Sequence, residues 1–152
     1  MATIVKAPPG NCFETLVTIH LGDTDPYGVV YFTAYFRYFH QGMEEFFRHL
    51  GIPPEEIFRN KEKGFGLPIV HASCSFHRPV SYGETLRMAI HVLRVGDKAL
   101  TFGFYFHPQE GDFVIAHGEV TMVTIDRSWQ SMNLPERLLD ALALYLPPAR
   151  QP

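Results

Sequence analysis

The chain is short of cysteine, of net charge and of long apolar runs, and each shortage removes a class of protein. Only Cys12 and Cys74 occur among 152 residues, with no C-x-x-C spacing, so no disulfide framework is available. No stretch approaches the ~20 apolar residues that cross a bilayer. The opening Met1-Ala2-Thr3-Ile4-Val5-Lys6-Ala7-Pro8-Pro9 holds no secretory apolar segment. A cytoplasmic protein with reduced thiols and no membrane partner is expected. Thirteen Lys and Arg stand against sixteen Asp and Glu, a net charge of −3, which offers nucleic acid or anionic lipid no general attraction. There is no Gly-x-Ser-x-Gly elbow, no Gly-x-Gly-x-x-Gly or Walker loop and no His-Glu-x-x-His, which removes serine-hydrolase, nucleotide-cofactor and zincin signatures. No cofactor and no metal are expected.

Aromatic residues, by contrast, are plentiful: 13 Phe, 7 Tyr and 1 Trp, within a hydrophobic share of 46%. That composition excludes disorder, and a chain of this length can bury ~68–70% of its unfolded surface in one core. Residues 1–12, with Pro8-Pro9-Gly10, read as a flexible N-terminal arm, and residues 13–148 as a single domain.

Periodicity then orders the elements. From Phe13 to Leu21, Val17, Ile19 and Leu21 alternate with Thr18 and His20, as in a half-buried strand. After a turn cluster, Phe32, Tyr35, Phe36, Phe39, Met43, Phe46, Phe47 and Leu50 recur at steps of three and four, the stripe of a helix ~30 Å long. Arg37, Gln41, Glu44, Glu45 and Arg48 take its other face, and Gly51 stops it before Pro53-Pro54. Four strands are predicted over Leu67–Arg78, Thr85–Val95, Ala99–His107 and Phe113–Ile125, joined by short polar turns as a meander. Leu134–Leu146 reads as a closing amphipathic helix. A helix this apolar must be covered, and a five-stranded antiparallel sheet wrapped around it, the α+β hotdog architecture, is the economical solution.

The candidate chemistry lies between the first strand and the long helix. Asp25-Pro26-Tyr27-Gly28 suits a type I turn, with Asp at its first corner and Gly at its fourth. It also sets a carboxylate near a helix N-terminus, whose unpaired N–H groups favour negative charge there. An ionised Asp can attack a carbonyl carbon or activate water, and backbone N–H groups around Tyr31 and Phe32 could hold an oxyanion. Asp23 competes for that role, and periodicity does not choose between the two. His71 and His77 share strand parity with Ser73 and Ser75 while Cys74 faces the other way, so His71 reads as a polar residue at a pocket or interface rather than a metal ligand. His40 and Glu44 read as a helix-surface pair. Arg78, Arg87, Arg94 and Lys98 read as rim charges, with room for an anionic ligand at a cleft mouth.

The run Asp23-x-Asp25-x-x-Gly28-x-Val30-Tyr31-Phe32-x-x-Tyr35 resembles the signature of the 4-hydroxybenzoyl-CoA thioesterase family, and Leu67-Pro68-Ile69-Val70-His71-Ala72-Ser73 through Phe76, Pro79 and Gly83-Glu84 resembles its next block. The resemblance spans residues 13 to about 128. It implies a hotdog fold, subunits joined sheet edge to sheet edge as homodimers or homotetramers, and hydrolysis of acyl-CoA thioesters without metal or cofactor. By the same resemblance Asp25 is the catalytic carboxylate with Asp23 in support, Gly28 shapes its turn, and the Phe32 N–H, beside Tyr31, polarises the thioester carbonyl. Tyr35 and His71 would face substrate, and Lys98 would meet the nucleotide phosphates. The second block is most similar to thioesterases for aromatic acids, 4-hydroxybenzoyl-CoA and 1,4-dihydroxy-2-naphthoyl-CoA. Short-chain aliphatic thioesters, and a non-catalytic acyl-CoA or aromatic-ligand binder, are the competing expectations.

Overall fold

The computed structural model describes residues 4–58 and 64–147. In chain order these form β1 (Phe13–Thr18), a 3-10 turn (Leu21–Asp23), α1 (Ala34–His49), α2 (Pro54–Phe58), β2 (Ile69–Phe76), β3 (Thr85–Val95), β4 (Ala99–Pro108), β5 (Ala116–Val123), α3 (Glu136–Ala141) and a 3-10 turn (Ala143–Tyr145). The five strands make one antiparallel sheet with the order β1-β3-β4-β5-β2.

The sheet closes over α1 through aromatic contacts. Phe39 stacks on Phe104 at 4.6 Å between ring centroids, Phe46 lies 5.4 Å and Phe47 5.7 Å from Phe102, and all of these rings are buried. The helix-facing rows of β3 and β4, Met88 and Ile90 beside Phe102, Phe104 and Phe106, are equally buried. Two glycines set how close the helix comes. A Cβ on Gly118 of β5 would stand 2.3 Å from the Ser73 carbonyl oxygen and 2.5 Å from Cζ of Phe39, and one on Gly42 of α1 would stand 2.5 Å from Cε of Met88. The expected helix-surface pair is present, with His40 Nδ1 3.1 Å from Glu44 Oε1.

The structure corrects the expected four-strand meander. Only β3, β4 and β5 are consecutive neighbours, while β2 crosses to the far edge and pairs with β5, Cys74 opposite Gly118 and Phe76 opposite Ala116. Pro79-Val80-Ser81-Tyr82-Gly83 is therefore not a tight hairpin. It belongs to a crossover pinned beneath the start of α1, where the Val30 N–H donates to the Val80 carbonyl at 2.9 Å, Ser81 bridges Val29, and Val80 is buried. Three strand spacings are ~14 Å, which residues 77–84 span easily. Among the described residues the two free edges are β1 and β2.

Other differences are smaller. β5 begins at Ala116 rather than Phe113; Phe113 turns out toward solvent and takes the Arg78 guanidinium over its ring at 4.2 Å. The closing helix is broken into α3 and the second 3-10 turn. Residues 4–6 border a cavity with Arg78 and Phe113, and the Asn11 amide donates to the Leu144 carbonyl at 2.8 Å. Among the described residues no helix is long and apolar enough to cross a membrane.

Candidate active site

Beyond β1 the chain folds into a compact loop held by short-range bonds. Asp23 is tied on both sides: one carboxylate oxygen pairs with the Arg37 guanidinium on α1, and the other accepts the His20 N–H at 3.1 Å. Partial burial alone would raise the carboxyl's pKa, but these donors outweigh it and hold Asp23 below the ordinary carboxylate range. Asp25 sits in the expected turn. The Gly28 N–H donates to the Asp25 carbonyl at 2.9 Å, the Asp25 N–H to the Val29 carbonyl at 3.0 Å, and Gly28 adopts φ +79°, a conformation that favours glycine. One oxygen of the Asp25 carboxylate accepts the Tyr27 N–H at 2.8 Å, and among the described residues the other has no protein donor.

Asp25 opens onto a cavity of about 540 Å³ walled by Tyr31, Phe32 and Tyr35 at the start of α1, Phe76 at the end of β2 and Val80 in the crossover. The Tyr31 N–H is committed to the Asp23 carbonyl at 2.8 Å and is not available as an oxyanion donor. The Phe32 N–H, by contrast, meets no acceptor among the described residues. The Phe32 ring stands edge-on to Phe76, with centroids 6.4 Å apart, and Tyr35 packs 5.5 Å from Phe76 and 5.1 Å from Phe106. Burial raises the Tyr35 hydroxyl's pKa, so Tyr35 stays neutral and serves as a wall. Burial likewise pushes the nearby Cys74 thiol up to about 12, which leaves no thiolate to compete as a nucleophile.

Asp25, Gly28, Tyr31, Phe32 and Tyr35 are thus brought together within one chain, whereas His71 and Lys98 lie apart from them. His71 is exposed and pairs with Thr121 on the sheet face away from α1. Lys98 occupies the β3–β4 turn, roughly 35 Å along the sheet from the Asp25 end, with Nζ 3.4 Å from Ser131 Oγ. His77 joins His117 on the outer sheet face, with ring nitrogens 2.8 Å apart, and among the described residues no set of three or more His, Cys, Asp or Glu could hold a metal. Nothing in the sequence marks Val80 as a wall, since only the crossover puts it there. The inward parity of Phe76 at the end of a strand is the signal for its place in the wall.

Residues 19–142 match the thioesterase-like superfamily. A 1,4-dihydroxy-2-naphthoyl-CoA hydrolase of Prochlorococcus marinus (strain MIT 9303) is 31% identical over 134 residues, covering 84% of this chain and 87% of its own. One from Nostoc punctiforme is 31% identical over 82% of each chain. Among solved structures, a 1,4-dihydroxy-2-naphthoyl-CoA thioesterase from Synechocystis superposes with a TM-score of 0.79 at 23% identity, covering 87% of this chain and 96% of that one. A gentisyl-coenzyme A thioesterase superposes with 0.75 at 25% identity, covering 86% and 100%.

Proposed function

The chain belongs to the thioesterase-like superfamily, and on that premise we propose that it hydrolyses the CoA thioester of an aromatic acid, with Asp25 as the reacting carboxylate. The observation that carries this reading is the contrast between the two acids: Asp23 is consumed by Arg37 and His20, while Asp25 keeps one oxygen without a donor among the described residues and faces an aromatic-walled cavity. In one route the Asp25 oxygen adds to the thioester carbon, the C–S bond breaks, CoA leaves as a thiolate that takes up a proton, and water hydrolyses the resulting acyl-aspartyl anhydride. In the other Asp25 takes a proton from the water that attacks. Both routes place negative charge on the carbonyl oxygen, and the Phe32 N–H is the donor left to receive it. Gly28 shapes the turn, Tyr31 and Tyr35 wall the cavity, and no metal or other cofactor takes part.

The working unit is a homodimer, or a homotetramer built from two such pairs, joined through β2. That edge strand carries exposed Ile69, Val70 and Phe76 and a backbone ladder unpaired among the described residues, which a second copy satisfies in antiparallel fashion. A two-fold axis through the middle of β2 sets the Phe76 end of one subunit beside the Ile69 end of its partner. His71 then lies at the seam, and the partner subunit's Lys98 end of the sheet approaches the Asp25 site, where a cation suits the CoA phosphates. Residues 13–148 act as one domain, and the free thiols of Cys12 and Cys74 suit the reducing cytoplasm.

The test is thiol release from benzoyl-, 4-hydroxybenzoyl-, 1,4-dihydroxy-2-naphthoyl-, butyryl- and palmitoyl-CoA, with Asp25→Asn alongside. Selective hydrolysis of an aromatic thioester, reduced at least ~100-fold in Asp25→Asn with the melting temperature unchanged, is expected. Preference for butyryl-CoA would move the acyl class to short aliphatic acids, and inertness toward the whole panel would replace catalysis by ligand binding.

A further inference from the structure

A second cavity, at the other end of β2 from Asp25, carries a residue of unusual backbone conformation. Trp129 is the only non-glycine residue at positive φ among those described, at +63°, where a bulky side chain is strained. Its hairpin enforces that conformation. The Asp126 carboxylate accepts the Ser128 N–H at 2.8 Å and the Gln130 N–H at 3.0 Å, and the Trp129 N–H donates to the Asp126 carbonyl at 3.1 Å. The outcome is an indole left 74% exposed at the mouth of a cavity of about 500 Å³, whose apolar walls are Phe58, Pro68 and Ile69. Among the described residues this ring belongs neither to the hydrophobic core nor to the Asp25 cavity.

The subunit pairing proposed above gives it a place. Ile69 pairs with Met122 and Phe76 with Ala116, two helix-facing buried residues, so both cavities open on the helix side of the sheet at opposite ends of one edge strand. Antiparallel pairing of two such edges brings the Trp129 cavity of one subunit against the Asp25 cavity of the other. The contact between Lys98 and Ser131 sets a cation beside the same hairpin. We propose that Trp129 of one subunit is a stacking platform for a planar ring of the thioester held at Asp25 of its partner. This rests on the reading of a β2-joined thioesterase. A CoA thioester of an aromatic acid offers two such rings, the acyl ring and the adenine.

Trp129 is the only tryptophan in the chain, so its emission reports this site directly. In the Asp25→Asn protein, benzoyl-CoA is titrated against butyryl-CoA, free CoA and benzoate. Saturable quenching by benzoyl-CoA is expected. If benzoate quenches too, and butyryl-CoA and CoA do not, the acyl ring is the partner; if all three CoA species quench and benzoate does not, it is the adenine. Either pattern supports the platform. In the otherwise wild-type protein Trp129→Gly should raise KM about tenfold with kcat within about twofold, inside the ~5–150-fold that one ring stack is worth, and Trp129→Phe should restore most of the loss. Glycine suits φ +63°, so Trp129→Gly should melt at or above the parent temperature, and a weakened KM would then not reflect unfolding. Unchanged emission throughout the benzoyl-CoA titration, with KM unchanged in Trp129→Gly, would overturn the proposal while leaving thioester hydrolysis at Asp25 intact. A wild-type protein that released no thiol from any thioester would instead sink the activity, and the emission titration would still decide Trp129.

Discussion

Replacing Gly118 by alanine should be among the most damaging single-methyl additions to this protein, and replacing Gly42 among the mildest. At Gly118 the added Cβ meets the backbone oxygen of Ser73 at 2.3 Å and the Phe39 ring at 2.5 Å. Ordinary contact begins near 3.4 Å, so β2 must withdraw by about 1 Å, or α1 must lift by a similar amount, against a core packed at crystal density. Overpacking of that kind costs ~1–3 kcal/mol and sometimes more. The backbone obstacle places Gly118→Ala at the upper end, and at ~2–4 °C per kcal/mol for a domain of this size the melting temperature should fall by about 6–12 °C. At Gly42 the obstacle is the tip of Met88, Cε at 2.5 Å, with Cδ1 of Ile90 at 3.0 Å. A methionine end rotates away cheaply, and alanine in a helix interior gains up to ~1 kcal/mol over glycine. Gly42→Ala should therefore stay within about 1 kcal/mol of the parent. Differential scanning fluorimetry of both variants reads the difference, and thioester KM should also rise in Gly118→Ala because β2 carries Phe76 into the Asp25 cavity. A Gly118→Ala protein melting within about 2 °C of the parent, or equal losses in both variants, would refute the packing argument.

Further outcomes follow from the same structure. Stability should decline as pH falls below about 6.5, because burial first, and then neighbouring His107 for His91 and His77 for His117, lowers the folded-state pKa of both; the unfolded chain then binds protons that the folded one refuses. Melting temperatures across pH 8 to 5 should show that slope, and His117→Gln should flatten it. A separate loss belongs below pH 3.8, where Asp23, held low in the fold, takes up a proton and releases Arg37; Asp23→Asn should remove that step. Gly28→Ala forces a side chain to φ +79° and should cost about 1–2 kcal/mol while lowering kcat through displacement of Asp25, measured by thermal melts alongside thiol release.

The sequence makes legible what neighbouring residues settle among themselves. The turn at Asp25 closes onto Gly28 because Asp, Pro and Gly occupy its corners, and the long helix shows in the three-and-four spacing of its aromatic residues. Strand parity correctly divided His71 from Cys74. What distinguishes the environments of the two acids is different in kind: Asp23 is bound by Arg37, fourteen residues away and on another element, and no period connects the two. The path of β2 was equally invisible, because a strand followed by a polar segment and another strand reads alike whether they are neighbours or lie at opposite positions in a sheet. Burial of Val80 beneath α1 decided that path, and with it the free edge at β2 and the Phe76 wall of the cavity. Trp129 shows the same division from the other side. Nothing in the letters around it places the ring inside or out, and the hydrogen bonds of a hairpin 126–130 hold it in the open. Local pattern determines which elements form, since periodicity and turn chemistry act over a few residues. Which strands become neighbours, and which polar groups are already spent, is decided by contacts among residues far apart in the chain, and only the folded structure contains those.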